Sequence, residues 1–179
     1  MLYRILFLIG LAFEVFGQVL LAQGNDFVYA LRPIDFAHWS LLVGVVLMMP
    51  QVVSFPKKIY SLIGTPTAII GIVCIIGMCV LDFIWWSMPD QQTRNEFATH
   101  LSQVPSIWTP FITDGPRFLT IGLSILSLNY FREHKLGVAI VIISTLILIH
   151  VIPFPFRLIS GYSLTMIGFG VIFFKEKFH

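Results

Sequence analysis

Long apolar stretches separated by short polar interruptions dominate the chain, and six stand out: residues 5–22, 37–55, 67–88, 116–131, 136–152 and 157–174. Each approaches the roughly twenty residues that an α-helix needs to cross the hydrocarbon core of a bilayer. The pattern predicts an all-α fold, a polytopic membrane bundle of six transmembrane helices forming one integral membrane domain over residues 1–179. The fourth run is the shortest, and its start is marked by Asp114-Gly115-Pro116, a capping residue shortly before a proline suited to a first helical turn. The first run has the outline of a signal peptide, with Arg4 ahead of it and Ala22 near its end. Its length, the polar Glu14 and Gln18 within it and the further spans behind it make it a first helix instead.

The polar interruptions orient the bundle. One set of helix ends carries Arg4, Lys57, Lys58, Arg132, Lys135, Lys175 and Lys177, including every lysine in the chain; the other carries Arg32, Arg94, Arg117 and Arg157. Positive charge gathers on the cytoplasmic side of short loops, so both termini are expected inside, in the inner membrane of a cell. The longest connection, residues 89–115, is then an outer loop. Within it Phe97, Leu101 and Val104 recur at i, i+4, i+7 beside Asp90, Arg94, Asn95 and Glu96, the pattern of a short interfacial amphipathic helix between helices 3 and 4. Trp85, Trp86 and Trp108 flank it as interfacial anchors. The first outer loop, residues 23–36, mixes Phe27, Tyr29 and Leu31 with Asp26, Arg32 and Asp35 and is expected on the same surface.

Composition narrows the classes. With 57% hydrophobic residues, 11% charged and a mean hydropathy of +0.89, the chain departs from a soluble domain, in which about a quarter of residues are charged. A net charge of +2, with basic residues at span ends rather than along one face, gives no reason to expect nucleic acid as a partner. The expected partners are the lipid bilayer and a second copy or another chain of a membrane complex. Cys74 and Cys79 lie five apart on one apolar run, point to different faces and read as packing residues rather than a disulfide. Short similarities between residues 62–71 and 158–168 raise the alternative of two inverted three-helix halves, as in many transporters. The chain lacks H-E-x-x-H, G-x-S-x-G and a glycine-rich phosphate loop, so no catalytic motif, metal or cofactor is expected.

The polar residues inside the spans carry the candidate chemistry. Glu14 falls roughly 14 Å along the first helix from Ile5, near the bilayer centre, where an ionised carboxylate is costly unless paired or hydrated. Gln18 lies one turn on, on the same face. The pair reads either as a site for a small solute, ion or lipid, or as polar glue between helices. Asp82 and His150 lie at similar depth in the outer third, each about fifteen residues from its inner helix end. They are expected either as partners in a proton relay or separately, Asp82 as an outer cap and His150 on a carbonyl freed by Pro153. Arg157 joins them in an alternative reading, an intramembrane enzyme acting on a lipid-like substrate at the outer leaflet with Glu96 or His100. A further alternative, a non-catalytic subunit or assembly factor, rests on the small-residue stripe Gly161, Thr165 and Gly168 as a docking face.

Overall fold

The computed structural model describes residues 1–175; Lys177, counted above among the basic ends, lies outside them. The described residues are helical throughout, with no strand: α1 (Leu2–Leu21), α2 (Asn25–Ala30), α3 (Phe36–Val53), α4 (Ile59–Ser87), α5 (Gln91–Ser102), α6 (Pro105–Trp108), α7 (Gly115–Ser127), α8 (Lys135–Leu148) and α9 (Arg157–Lys175). A π-helical turn, Thr109–Thr113, joins α6 to α7, and a tight 3₁₀ turn, Leu128–Tyr130, closes α7.

Four helices, α1, α3, α4 and α9, are long and apolar enough to cross a membrane. The fourth and fifth apolar runs form shorter helices, of 13 residues in α7 and 14 in α8. At 1.5 Å per residue each covers roughly 20 Å, short of a hydrocarbon core of about 30 Å. The apolar residues continue past both helices, but the backbone turns: α7 tightens at Leu128, and α8 stops before His150, whose φ is 67°. The third run errs the other way. Its helix begins at Ile59 rather than at residue 67 and takes in Pro66, because Tyr60, Ser61 and Thr65 are polar enough to interrupt an apolar run without interrupting a helix.

Six helices form a closed ring in chain order, each packed on the next: α1, α3, α4, α7, α8, α9 and back to α1. The most extensive contacts make three hairpins, α1 with α3, α4 with α7 and α8 with α9. Small residues let the backbones meet. A Cβ added at Gly10 would lie 2.5 Å from the Gly44 carbonyl oxygen, and one at Gly137 would lie 2.8 Å from that of Gly168. Such close approach maximises dispersion contact where lipid supplies no hydrophobic drive between helices.

The ring is filled unequally along its axis. At the end bearing Arg4 and Lys58, Phe7, Phe55, Tyr130, Phe169 and Phe173 interlock, mostly edge to face, with Phe7 and Phe169 centroids 4.9 Å apart. Lys58 Nζ donates to the Asn129 carbonyl at 2.9 Å, and Asn129 Nδ2 donates to Ser61 Oγ at 2.9 Å, tying α4 to the end of α7 beside this plug. The opposite end, covered by α2, α5 and α6, carries the polar side chains.

Candidate functional site

On the cap side of the aromatic plug lies a cavity of about 170 Å³ to which all six ring helices contribute. Its polar lining is Glu14 and Gln18 of α1, Thr113 of the π-helical turn, Arg117 and Thr120 of α7, and Arg157 and Tyr162 of α9. Leu41, Ile75 and Leu148 supply the apolar wall from α3, α4 and α8. Glu14, Thr120 and Tyr162 are almost fully buried, whereas the Arg117 side chain is 50% exposed, so the cavity runs from the interior to a rim. Three of the residues expected to carry chemistry, Glu14, Gln18 and Arg157, thus face one space.

Glu14 Oε1 is buried with no hydrogen-bond partner. No hydrogen bond joins it to Gln18 among the described residues, although the two share a face. Room for the carboxyl comes from α3: a Cβ at Gly44 would lie 2.8 Å from Oε1. Buried polar atoms are nearly always bonded, and leaving one unsatisfied costs about 1–3 kcal/mol.

The two arginines are held differently. Arg157 Nη1 donates to the carbonyl of Leu148 at 2.7 Å, the last residue of α8, whose oxygen has no helical partner. Arg117 Nη1 donates to Asp114 Oδ1 at 2.7 Å. Asp114 stands at the N-cap of α7 as its sequence position indicated, but its side chain accepts from Arg117 and not from the helix backbone.

A second cluster sits on α3 and α4. His38 Nδ1 lies 2.5 Å from Asp35 Oδ2, and His38 Nε2 lies 3.2 Å from Asp82 Oδ2. Asp35, at 1% exposure, also caps α3 by accepting the His38 backbone N–H at 3.1 Å. The imidazole beside Asp82 is therefore His38. His150 is exposed, and among the described residues no hydrogen bond or ion pair joins it to Asp82. The sequence held a signal for His38 that composition alone passes over: an aspartate directly before an apolar helix with a histidine three residues on, the spacing at which a cap and the first turn meet.

The cap is assembled by aromatic and guanidinium contacts. Trp85 packs edge-on against Phe97 at 5.9 Å and against Trp108 at 6.4 Å. Arg94 donates to the carbonyls of Trp85 (3.2 Å) and Met88 (2.7 Å) and lies 4.0 Å over the Tyr29 ring, while Arg32 lies 4.6 Å over Trp86. Burial pushes the Tyr29 phenol above its ordinary range, and Arg94 opposes that shift. Glu96 accepts from Gln92 Nε2 at 2.9 Å, and no group of three or more metal-ligating residues occurs among the described residues.

Fold and composition together define a class: an all-helical protein with four helices of membrane-spanning length and apolarity in a ring of six, whose shared cavity is lined by a carboxyl with an unsatisfied oxygen. No family model, no curated protein and no solved structure matches the chain.

Proposed function

We propose that the chain is a six-span protein of the inner membrane, with both termini cytoplasmic, that binds a small polar ligand in a cavity open to the outer side and passes it across when the aromatic plug rearranges. In this arrangement α7 and α8 are short spans completed by their terminal turns, α5 lies on the outer surface, and Trp85, Trp86 and Trp108 mark the interface. The observation that carries the reading is Glu14, a buried carboxyl without a hydrogen-bond partner among the described residues, in the lining of a cavity formed by every helix of the ring. An intramembrane ionisable residue facing a cavity is the usual mark of a ligand or proton pathway.

The alternative readings draw less support from the geometry. The stripe Gly161, Thr165 and Gly168 is taken up inside the chain: Gly161 abuts Leu148, Thr165 meets Ser144 at 2.8 Å, and Gly168 abuts Val141. That face is not free for a second chain. The enzyme reading required Asp82 and His150 to converge, and Asp82 pairs with His38.

A hydrophobic carbodiimide tests the proposal by reacting with carboxyl groups reachable from the membrane or a cavity. Mass spectrometry of the protein in lipid nanodiscs is expected to find Glu14 modified and the Glu14→Gln variant silent at that peptide. Modification of Glu14 only after unfolding would make it structural glue.

A further inference from the structure

We infer that the ligand of this cavity is a phospholipid with a primary ammonium headgroup, entering sideways from the outer leaflet between α1 and α9. The inference rests on the cavity reading above and adds the substrate class and its route. A second hollow, of about 330 Å³, lies against the cavity and shares Gln18, Arg157 and Leu158 with it. Its remaining wall is Leu21, Ala22, Phe156 and Ile159, apolar except for backbone. These residues are the last turn of α1 and the first of α9, so the hollow lies at the outer end of the seam where the ring closes.

The polar groups across the two spaces suit a zwitterion. Arg157 is fixed by one bond to Leu148, and its remaining N–H groups have no protein partner among the described residues, leaving donors for a phosphate oxygen. Deeper in the cavity, Glu14 turns Oε1 toward Gly44 and leaves its other carboxyl oxygen, which also has no hydrogen-bond partner among the described residues, as an acceptor for an N–H group. An ammonium offers three donors and no acceptor, which suits that oxygen, whereas the quaternary amine of a choline headgroup offers none and is better held by an aromatic cage. Tyr162 is the one aromatic side chain in the lining. Gln18, on the wall common to both spaces, sits where the headgroup meets the acyl chains. An apolar trough that continues into a polar cavity fits an amphiphile, and a free zwitterion of the same headgroup would leave the trough unused.

The test is native mass spectrometry of the full chain with added phosphatidylethanolamine, phosphatidylcholine or phosphatidylglycerol, with free phosphoethanolamine as a competitor. Phosphatidylethanolamine is expected to be retained about tenfold better than the other two, the equivalent of one charge-assisted hydrogen bond. Glu14→Gln is expected to erase its advantage over phosphatidylglycerol, Arg157→Gln to weaken every phospholipid, and Ala22→Trp, on an exposed position of the trough, to block lipid without disturbing the fold. Competition by free phosphoethanolamine at a concentration comparable to the lipid would overturn the lipid inference and leave the cavity reading standing. So would equal retention of all three lipids when Glu14 still reacts with carbodiimide. Equal retention together with an inert Glu14 would overturn both.

Discussion

Replacing His38 by alanine tests whether Asp35, His38 and Asp82 act as one unit. The ring lies between two carboxyl groups, with Nδ1 2.5 Å from Asp35 Oδ2 and Nε2 3.2 Å from Asp82 Oδ2, in surroundings where the three side chains are 1% to 19% exposed. A hydrogen bond to a charged group contributes about 1.5–3 kcal/mol, and removing one partner of a buried ionic set costs about 3–5 kcal/mol because the remaining charge is stranded. After His38→Ala, Asp35 keeps only the backbone N–H at 3.1 Å and Asp82 loses its partner. The expected loss is therefore about 3–5 kcal/mol. Asp82→Asn retains an acceptor toward Nε2 and removes one of two neighbouring negative charges, so it should cost about 1 kcal/mol.

The chain contains its own reporter for this measurement. Cys74 and Cys79 are free and buried on α4, at 7% and 0% exposure, so a dye that fluoresces on reacting with thiols reads the unfolding of that helix. For a chain of this size His38→Ala should lower the melting temperature by roughly 10 °C and Asp82→Asn by about 2–4 °C. The double variant should be no worse than His38→Ala, because the interaction is already gone. A His38→Ala shift under about 2 °C, or strictly additive effects, would refute the treatment of the three residues as one network.

Four further outcomes follow from the geometry. Gly71→Ala would place a Cβ 2.0 Å from the Leu119 backbone nitrogen and should cost about 1–3 kcal/mol or more in detergent-titration unfolding, whereas Gly170→Ala meets nothing within 4 Å and should leave the midpoint unchanged or higher. Arg94→Ala removes two bonds to carbonyls and the stacking on Tyr29, so amide exchange across residues 88–102 should quicken while exchange in the ring does not. The Asp90 carboxyl, held below its ordinary value of 3.8 chiefly by the Thr93 backbone N–H and then by the Thr93 hydroxyl, caps α5. A lowered folded value means the cap is intact above the ordinary range and lost as pH falls through the folded value, so protection of the α5 amides should hold from neutral pH down to about 5 and fail only in stronger acid. On intact cells an impermeant maleimide should label a cysteine at the exposed Gln92 and not one at the exposed Lys57, and the reverse pattern would invert the orientation.

Position along a helix was legible in the sequence, and which helices are neighbours was not. Helical spacing set Gln18 on the face of Glu14, and both line one cavity, while periodicity placed a helix within 89–115, where α5 lies. Equal depth also made Asp82 and His150 look like partners, but pairing depends on which helices are neighbours. The ring sets α3 beside α4 and so supplies His38 to Asp82. The unsatisfied state of Glu14 was equally hidden, since it depends on Gly44 across the hairpin, and no local window joins those positions. Apolar length likewise overstated α7 and α8, because an apolar residue in a tight turn counts the same as one in a helix.

The shortness of α8 and the chemistry of the cavity have a common origin. Because α8 ends at Leu148, a carbonyl at the cap end of the ring is left without an intrahelical donor, and Arg157 at the start of α9 supplies one. An α8 extended by another turn would satisfy that carbonyl with its own backbone and release the guanidinium toward water. The π-helical turn before α7 similarly ends at Thr113, so that Arg117 in the first turn of α7 stands at the rim with Asp114 beside it. At the opposite end the plug draws on α1, α9 and the chain just after α3 and α7, and aromatic rings fill the space that polar groups line at the cap. A ring of six full-length helices would be closed alike at both ends. In this chain, the early end of α8 fixes Arg157, the turn before α7 sets Arg117 at the rim, and a carboxyl in the same cavity keeps an oxygen without a donor.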